Sequence, residues 1–178
     1  MNKAQERAFE QFVAQAGDGL LRLATLLTSD RGLGEDAYQE TLHRLAGRWP
    51  RVDNPGAYSR KILHNVVIDQ ARKQQRGPAE VHLVDAHDDG DPRGLDRHAA
   101  AEIRPVLLDA LGALTPQQRA IVVLRYFDDR SEQETAGLLG VSAGTVKSTA
   151  SRAMARLRQQ PALLSVISED DERKVRYA

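Results

Sequence analysis

One stretch restricts the fold of this chain more than any other. From Leu114 to Phe127 it reads L-T-P-Q-Q-R-A-I-V-V-L-R-Y-F, and from Ser131 to Arg158 it reads S-E-Q-E-T-A-G-L-L-G-V-S-A-G-T-V-K-S-T-A-S-R-A-M-A-R-L-R. The second run has the punctuation of a helix, a tight turn and a second helix. Ser131 and Glu134 are spaced as a capping box. Ala136, Leu138 and Leu139 give the first helix an apolar side, and Gly140 stands where a left-handed cap is required. Val141 plugs the turn, and Ser142 caps the second helix. A helix-turn-helix sets its second helix in the major groove of DNA.

That second helix divides by face. Val146, Ala150, Ala153 and Leu157 recur at helical spacing and are expected to pack inward. Thr145, Lys147, Ser148, Thr149, Ser151 and Arg152 are expected to face outward, followed by Arg156 and Arg158. Short hydroxyls and cations suit phosphates and base edges. The competing reading is an ordinary amphipathic helix with a solvated basic side.

Composition narrows the class. With 178 residues, 4% aromatic and 28% charged, the chain suits one or two small helical domains. No apolar run approaches the roughly 20 residues that span a bilayer, and the N-terminus has no signal-peptide core. There is no cysteine, hence no disulfide framework, thiolate zinc site or cysteine nucleophile. A cytoplasmic protein without membrane insertion is expected. Net charge is zero, but its distribution is uneven: residues 1–76 carry +3, 77–102 carry −5 and 103–160 carry +3. Two mildly basic blocks flank an acidic strap.

The expected fold is all-α: two small helical domains, an N-terminal helical bundle over 1–76 and a C-terminal helix-turn-helix domain over 99–160. A flexible acidic linker over 77–98 joins them, and a tail follows over 161–178. Prolines, glycines and aspartates preclude a long helix in the linker. His82, Asp85, His87, Asp88 and Asp91 could be read as metal ligands, but no rigid element fixes their spacing. In the first domain one helix is expected from Lys3 to Leu27, with Gly17 and Gly19 as possible interruptions. A second is expected from Arg31 to Trp49, with Ala37, Tyr38, Thr41, Leu42 and Leu45 inward. A third is capped by Asn54, with Pro55 in its first turn and Ala57, Tyr58, Ile62, Val66 and Ala71 as its apolar set. The second domain should open with a helix from Ala99 to Leu114, bent at Pro105, and continue from the Thr115–Gln118 capping box.

Taken together, these segments resemble a bacterial RNA polymerase sigma factor of the extracytoplasmic-function type. G-E-D-A-Y-Q-E-T-L-H-R-L-A-G-R-W is similar to the segment that grips the polymerase clamp helices. N-P-G-A-Y-S-R-K-I-L-H-N-V-V-I-D-Q-A-R is similar to the helix that reads the minus-10 element. The two runs quoted first are similar to the minus-35-reading domain. The resemblance implies that Glu35, Asp36, Gln39 and Glu40 contact polymerase. It also implies that Arg51, Asp53, Asn54, Tyr58, Lys61, Asn65 and Asp69 engage the minus-10 strand. Lys61, Asn65 and Asp69 share one helix face, and an asparagine offers both donor and acceptor to an unpaired base. Arg60, Arg72, Lys73 and Arg76 would track phosphates. The implied partners are RNA polymerase core (its beta-prime clamp helices and beta flap), promoter DNA and an anti-sigma factor; no cofactor is implied. Two positions depart from the family pattern: Tyr58, where tryptophan is common, and Thr149, where a second arginine or similar residue is common.

The principal alternative is a two-domain repressor or activator whose N-terminal helices dimerise or sense a ligand. An enzyme resting on His43, His64 or the linker histidines ranks last, because no nucleophile–base spacing, phosphate loop or rigid metal motif accompanies them.

Overall fold

The computed structural model describes residues 2–76 and 105–160. Asn2 begins the first helix with a capping box: it accepts from the Gln5 amide at 2.9 Å, and Gln5 accepts from the Asn2 amide at 3.0 Å. Helix α1 then runs Lys3–Thr28 and ends at Ser29, whose φ of 55° is left-handed. Asp30 accepts from the Leu33 amide at 2.8 Å and starts α2, Arg31–Arg48. A 3-10 turn, Trp49–Arg51, follows. Asn54 accepts from the Ala57 amide at 3.0 Å, and α3 runs Pro55–Arg76. The second half holds α4 (Pro105–Gly112), α5 (Pro116–Tyr126), α6 (Glu132–Leu139) and α7 (Ala143–Arg158). No strand occurs among the described residues.

The first three helices close around a common core. Leu20, Leu23, Ala24 and Leu27 of α1 meet Ala37, Tyr38 and Leu45 of α2 and Ile62, Leu63 and Val66 of α3. Gly34 makes the α1–α2 crossing possible. A Cβ there would lie 2.7 Å from the Thr25 Cα, so any side chain would force two backbones apart.

Helix α5 explains how the two halves relate. Ile121, Val122, Val123 and Leu124 are all buried, so the helix is apolar around most of its circumference and needs partners on several sides. On one side Ile121 joins Ala136, Val146 and Ala150 in a small core beneath the helix-turn-helix. On the other, Ala120, Val122 and Val123 join Leu111, Leu114, Ala153 and Leu157, and this group is continuous with the α1–α3 core. Polar contacts reinforce the junction. The Arg119 guanidinium donates to the Thr28 carbonyl and to the Ser29 hydroxyl, and it covers the carbonyl end of α1, where the helix dipole favours a cation.

Several expectations change. α1 is continuous: Gly17 and Gly19 do not interrupt it, and Gly17 is buried beside Tyr38. α2 stops at Arg48, with Trp49 starting the 3-10 turn. Ala57 is exposed, because it lies on the opposite side of α3 from Ile62 and Val66. Of the helix expected over 99–114 the described part is α4, Pro105–Gly112; residues 99–104, and with them the expected bend at Pro105, lie outside the described segments, as do the linker and the 161–178 tail. The two halves share a core.

Candidate nucleic-acid interface

The helix-turn-helix is built by local chemistry. Ser131 accepts from the Glu134 amide at 3.1 Å, and the Glu134 carboxylate accepts from the Ser131 amide at 2.9 Å. That bonding, with Arg130 nearby, holds the Glu134 carboxyl below the ordinary carboxylate range. Gly140 takes φ +66°, a conformation that costs other residues about 1–2 kcal/mol. Ser142 accepts from the Thr145 amide at 3.1 Å and opens α7.

The buried stripe of α7 is Val146, Thr149, Ala150, Ala153 and Leu157. Thr149 was expected on the outward face, and here the structure corrects the reading. Three residues after Val146 and four before Ala153, it falls on the packed side, and only 6% of it is exposed. Lys147, Ser148, Ser151, Arg152, Arg156 and Arg158 are exposed as expected. Thr145 is half-buried, its hydroxyl 2.8 Å from that of Ser142. Arg152 lies back along its own helix, its Nε donating to the Ser148 carbonyl at 3.3 Å. The outward face thus consists of hydroxyls and cations without a carboxylate.

A second surface lies where α2 turns into α3. Trp49 packs edge-on against Phe9, with ring centroids 5.1 Å apart, and tilts against Phe12 at 5.5 Å. These contacts pin the 3-10 turn and the loop after it. The loop and the first turns of α3 enclose an open cleft of about 510 Å³, lined in part by Arg48, Arg51, Asp53, Asn54, Tyr58 and Lys61. Its rim mixes cations, a carboxylate, an amide and one aromatic ring, a combination able to hold a flat polar base. Of the sequence-derived set, Arg51, Asp53, Asn54, Tyr58 and Lys61 line the cleft together. Asn65 and Asp69 are exposed on the same helix face but further along α3, beyond the lining. Arg48 was missed by sequence reasoning. Its place in the last turn of α2, three residues before Arg51, was the available signal.

A third surface is acidic. Glu35, Asp36 and Gln39 are exposed, and Glu40 is half-exposed with Arg44 Nε at 2.6 Å. They lie opposite the buried Tyr38, whose hydroxyl burial and the Asp18 charge hold above its ordinary pKa. Among the described residues no group of His, Asp and Glu is arranged to hold a metal ion. The linker histidines and aspartates fall outside those residues. No described helix is long and apolar enough to cross a membrane.

Comparison with known proteins agrees with this geometry. The sigma-70 region 2 family model matches residues 12–77, and the sigma-70 region 4 model matches residues 105–157. The RNA polymerase sigma-E factor of Streptomyces coelicolor is 39% identical over 157 residues, covering 85% of each chain. The ECF RNA polymerase sigma factor SigM of Mycobacterium tuberculosis is 33% identical over 153 residues, covering 84% of this chain and 75% of its own. Among solved structures, the sigma factor RpoE of Bartonella quintana, determined in complex with the anti-sigma factor NepR, superposes with a TM-score of 0.65. It is 27% identical, and the match covers 90% of this chain and 98% of that one. A chain that joins a region 2 bundle to a region 4 helix-turn-helix, with relatives of this identity along most of its length, belongs to the extracytoplasmic-function type of bacterial RNA polymerase sigma factors.

Proposed function

We propose that the protein directs RNA polymerase core to promoters by reading duplex DNA with one half and unpaired DNA with the other. The observation that supports this most is the pair of unlike surfaces: a convex helix face of cations and hydroxyls on α7, and a concave cleft at the start of α3. A repressor needs only the first. In this reading Lys147, Ser148, Ser151 and Arg152 enter the minus-35 major groove, with Thr145 at the helix entrance. Thr149 supports α7 from beneath and touches no base.

The cleft then receives a base extruded from the minus-10 non-template strand. Extrusion costs a few kcal/mol of stacking, which the pocket must recover. Tyr58 supplies a ring face, Arg48, Arg51 and Lys61 supply charge, and Asp53 and Asn54 supply polar edges. Asn65 and Asp69 meet the strand as it leaves the cleft. Glu35, Asp36, Gln39 and Glu40 dock on the polymerase clamp helices, and the second half meets the beta flap. The chain carries no catalytic step of its own and works in the cytoplasm beside polymerase. An anti-sigma partner is proposed by likeness to the Bartonella relative.

A reconstituted transcription assay with purified core polymerase and a promoter library tests the whole reading. Initiation from a defined subset of templates is expected; initiation from none defeats it. Asn65→Ala should impair open-complex formation about tenfold while polymerase affinity stays within about twofold, the pattern of a lost base contact. Loss of polymerase affinity in that variant would place α3 against the wrong partner.

A further inference from the structure

A threonine inside a helix can tie its hydroxyl to the carbonyl one turn back. Two buried threonines of the first half do so: Thr25 donates to the Leu21 carbonyl at 2.9 Å, and Thr41 to the Ala37 carbonyl at 2.7 Å. Thr149 of α7 makes no such bond among the described residues. The carbonyl four positions back, that of Thr145, instead accepts from the Ser148 hydroxyl at 3.2 Å. The Thr149 oxygen is left to accept from Arg152, whose Nη2 donates to it at 3.5 Å.

Thr149 is buried, and a buried hydroxyl without a partner is costly. Arg152 supplies that partner, and the dependence is mutual. The Arg152 Nε also donates to the Ser148 carbonyl at 3.3 Å. Two acceptors therefore hold an exposed guanidinium along α7, turned toward the helix N-terminus. That end of a recognition helix meets base edges. An arginine carries more N–H donors than these anchors use, and both on Nη1 remain for DNA. A free arginine side chain samples many rotamers, and ordering it on binding costs affinity. The Thr149 hydroxyl removes part of that cost before DNA arrives.

Building on the promoter-reading function above, we propose that Thr149 is a positioning residue for minus-35 recognition. Its buried hydroxyl aims the Arg152 guanidinium at one base pair, so a residue that touches no DNA sets how strictly that pair is read. The base that fits is guanine, whose O6 and N7 accept together from an arginine fork.

Two substitutions separate this role from packing. Thr149→Val keeps the shape and removes the hydroxyl, and Thr149→Ser keeps the hydroxyl. The full-length proteins with core polymerase are assayed on a promoter library randomised across the minus-35 element. Arg152→Ala should lose about tenfold of the preference at a single base pair. Thr149→Val should lose about fivefold at that same pair, the scale of one unanchored side chain, and less than about twofold elsewhere. Thr149→Ser should stay within about twofold everywhere. In the Arg152→Ala background Thr149→Val should add nothing, since both act through one group. A second readout needs no promoter. In the free protein the Arg152 Nε–H should have an NMR order parameter above about 0.6, falling below it in Thr149→Val and recovering in Thr149→Ser. Equal losses at every base pair, additive losses in the double variant, or an order parameter indifferent to the hydroxyl overturn the assignment. Failure of the promoter-reading function has a separate signature: no protein initiates from any template, while the order parameter still follows the hydroxyl.

Discussion

The two halves present polar groups to nucleic acid by opposite strategies. Around the turn between α6 and α7, geometry is set within a few residues: Ser131, Glu134, Gly140 and Ser142 each act on backbone no more than four positions away. At the α2–α3 corner, the cleft depends on contacts distant in sequence. Trp49 is wedged against Phe9 and Phe12, and α1 can approach α2 only because Gly34 has no side chain. The first surface is specified by rules of capping, the second by rules of packing. Damage should therefore stay local in one and spread in the other.

The largest expected effect attacks the packed half. Gly34→Ala should destabilise the protein by about 3 kcal/mol in a denaturant melt, because the new methyl meets backbone that cannot yield cheaply. A loss under about 1 kcal/mol would show that α1 and α2 separate easily, and the contrast would collapse. Gly140→Ala probes the locally built half. About 1.5 kcal/mol is expected from placing a Cβ at φ +66°, with the α7 face preserved in amide spectra. Spectral changes reaching α1–α3 would mean that the turn is not a local device.

A gentler test addresses the junction where the two strategies meet. Burial lowers the His64 pKa from 6.5 to about 4; nearby Asp128 raises it, while Arg130 and Arg60 lower it further. The folded protein then binds fewer protons than the unfolded chain, whose imidazole is solvated. The stability this gives is complete above about pH 6.5 and is lost as pH falls toward 4. Between pH 8 and pH 5.5 the unfolded-to-folded ratio should rise about tenfold on account of this group. Denaturant melts at the two pH values, set against the same melts of His64→Gln, measure this; a difference that stays flat, or moves the other way, would show that His64 is not held neutral by burial.

Legibility in the sequence follows the same division. The all-helical class, the caps at Asn54, Thr115, Ser131 and Ser142, and the left-handed Gly140 were readable because each is a short-range rule. Within α7 the inward stripe was readable except at Thr149, whose hydroxyl suggested a contact while its spacing put it inside. Hydropathy and period disagreed there, and period won. Arg48 and Asp128 were not readable. One joins the cleft only after the Trp49 turn redirects the chain, and the other matters only because α3 of the opposite half passes beside it. Gly17 misled for a related reason: a glycine in a helix looks like a break until a neighbouring Tyr38 explains the missing side chain.

Trp49 has a practical consequence. It is the sole tryptophan of the chain, it sits half-buried against two phenylalanines, and it begins the turn whose last residue, Arg51, borders the cleft. Its intrinsic fluorescence is therefore an internal gauge of one corner of the molecule. Emission will track nucleotide arrival at that corner and ignore events at α7, so a single optical signal separates strand capture from groove binding.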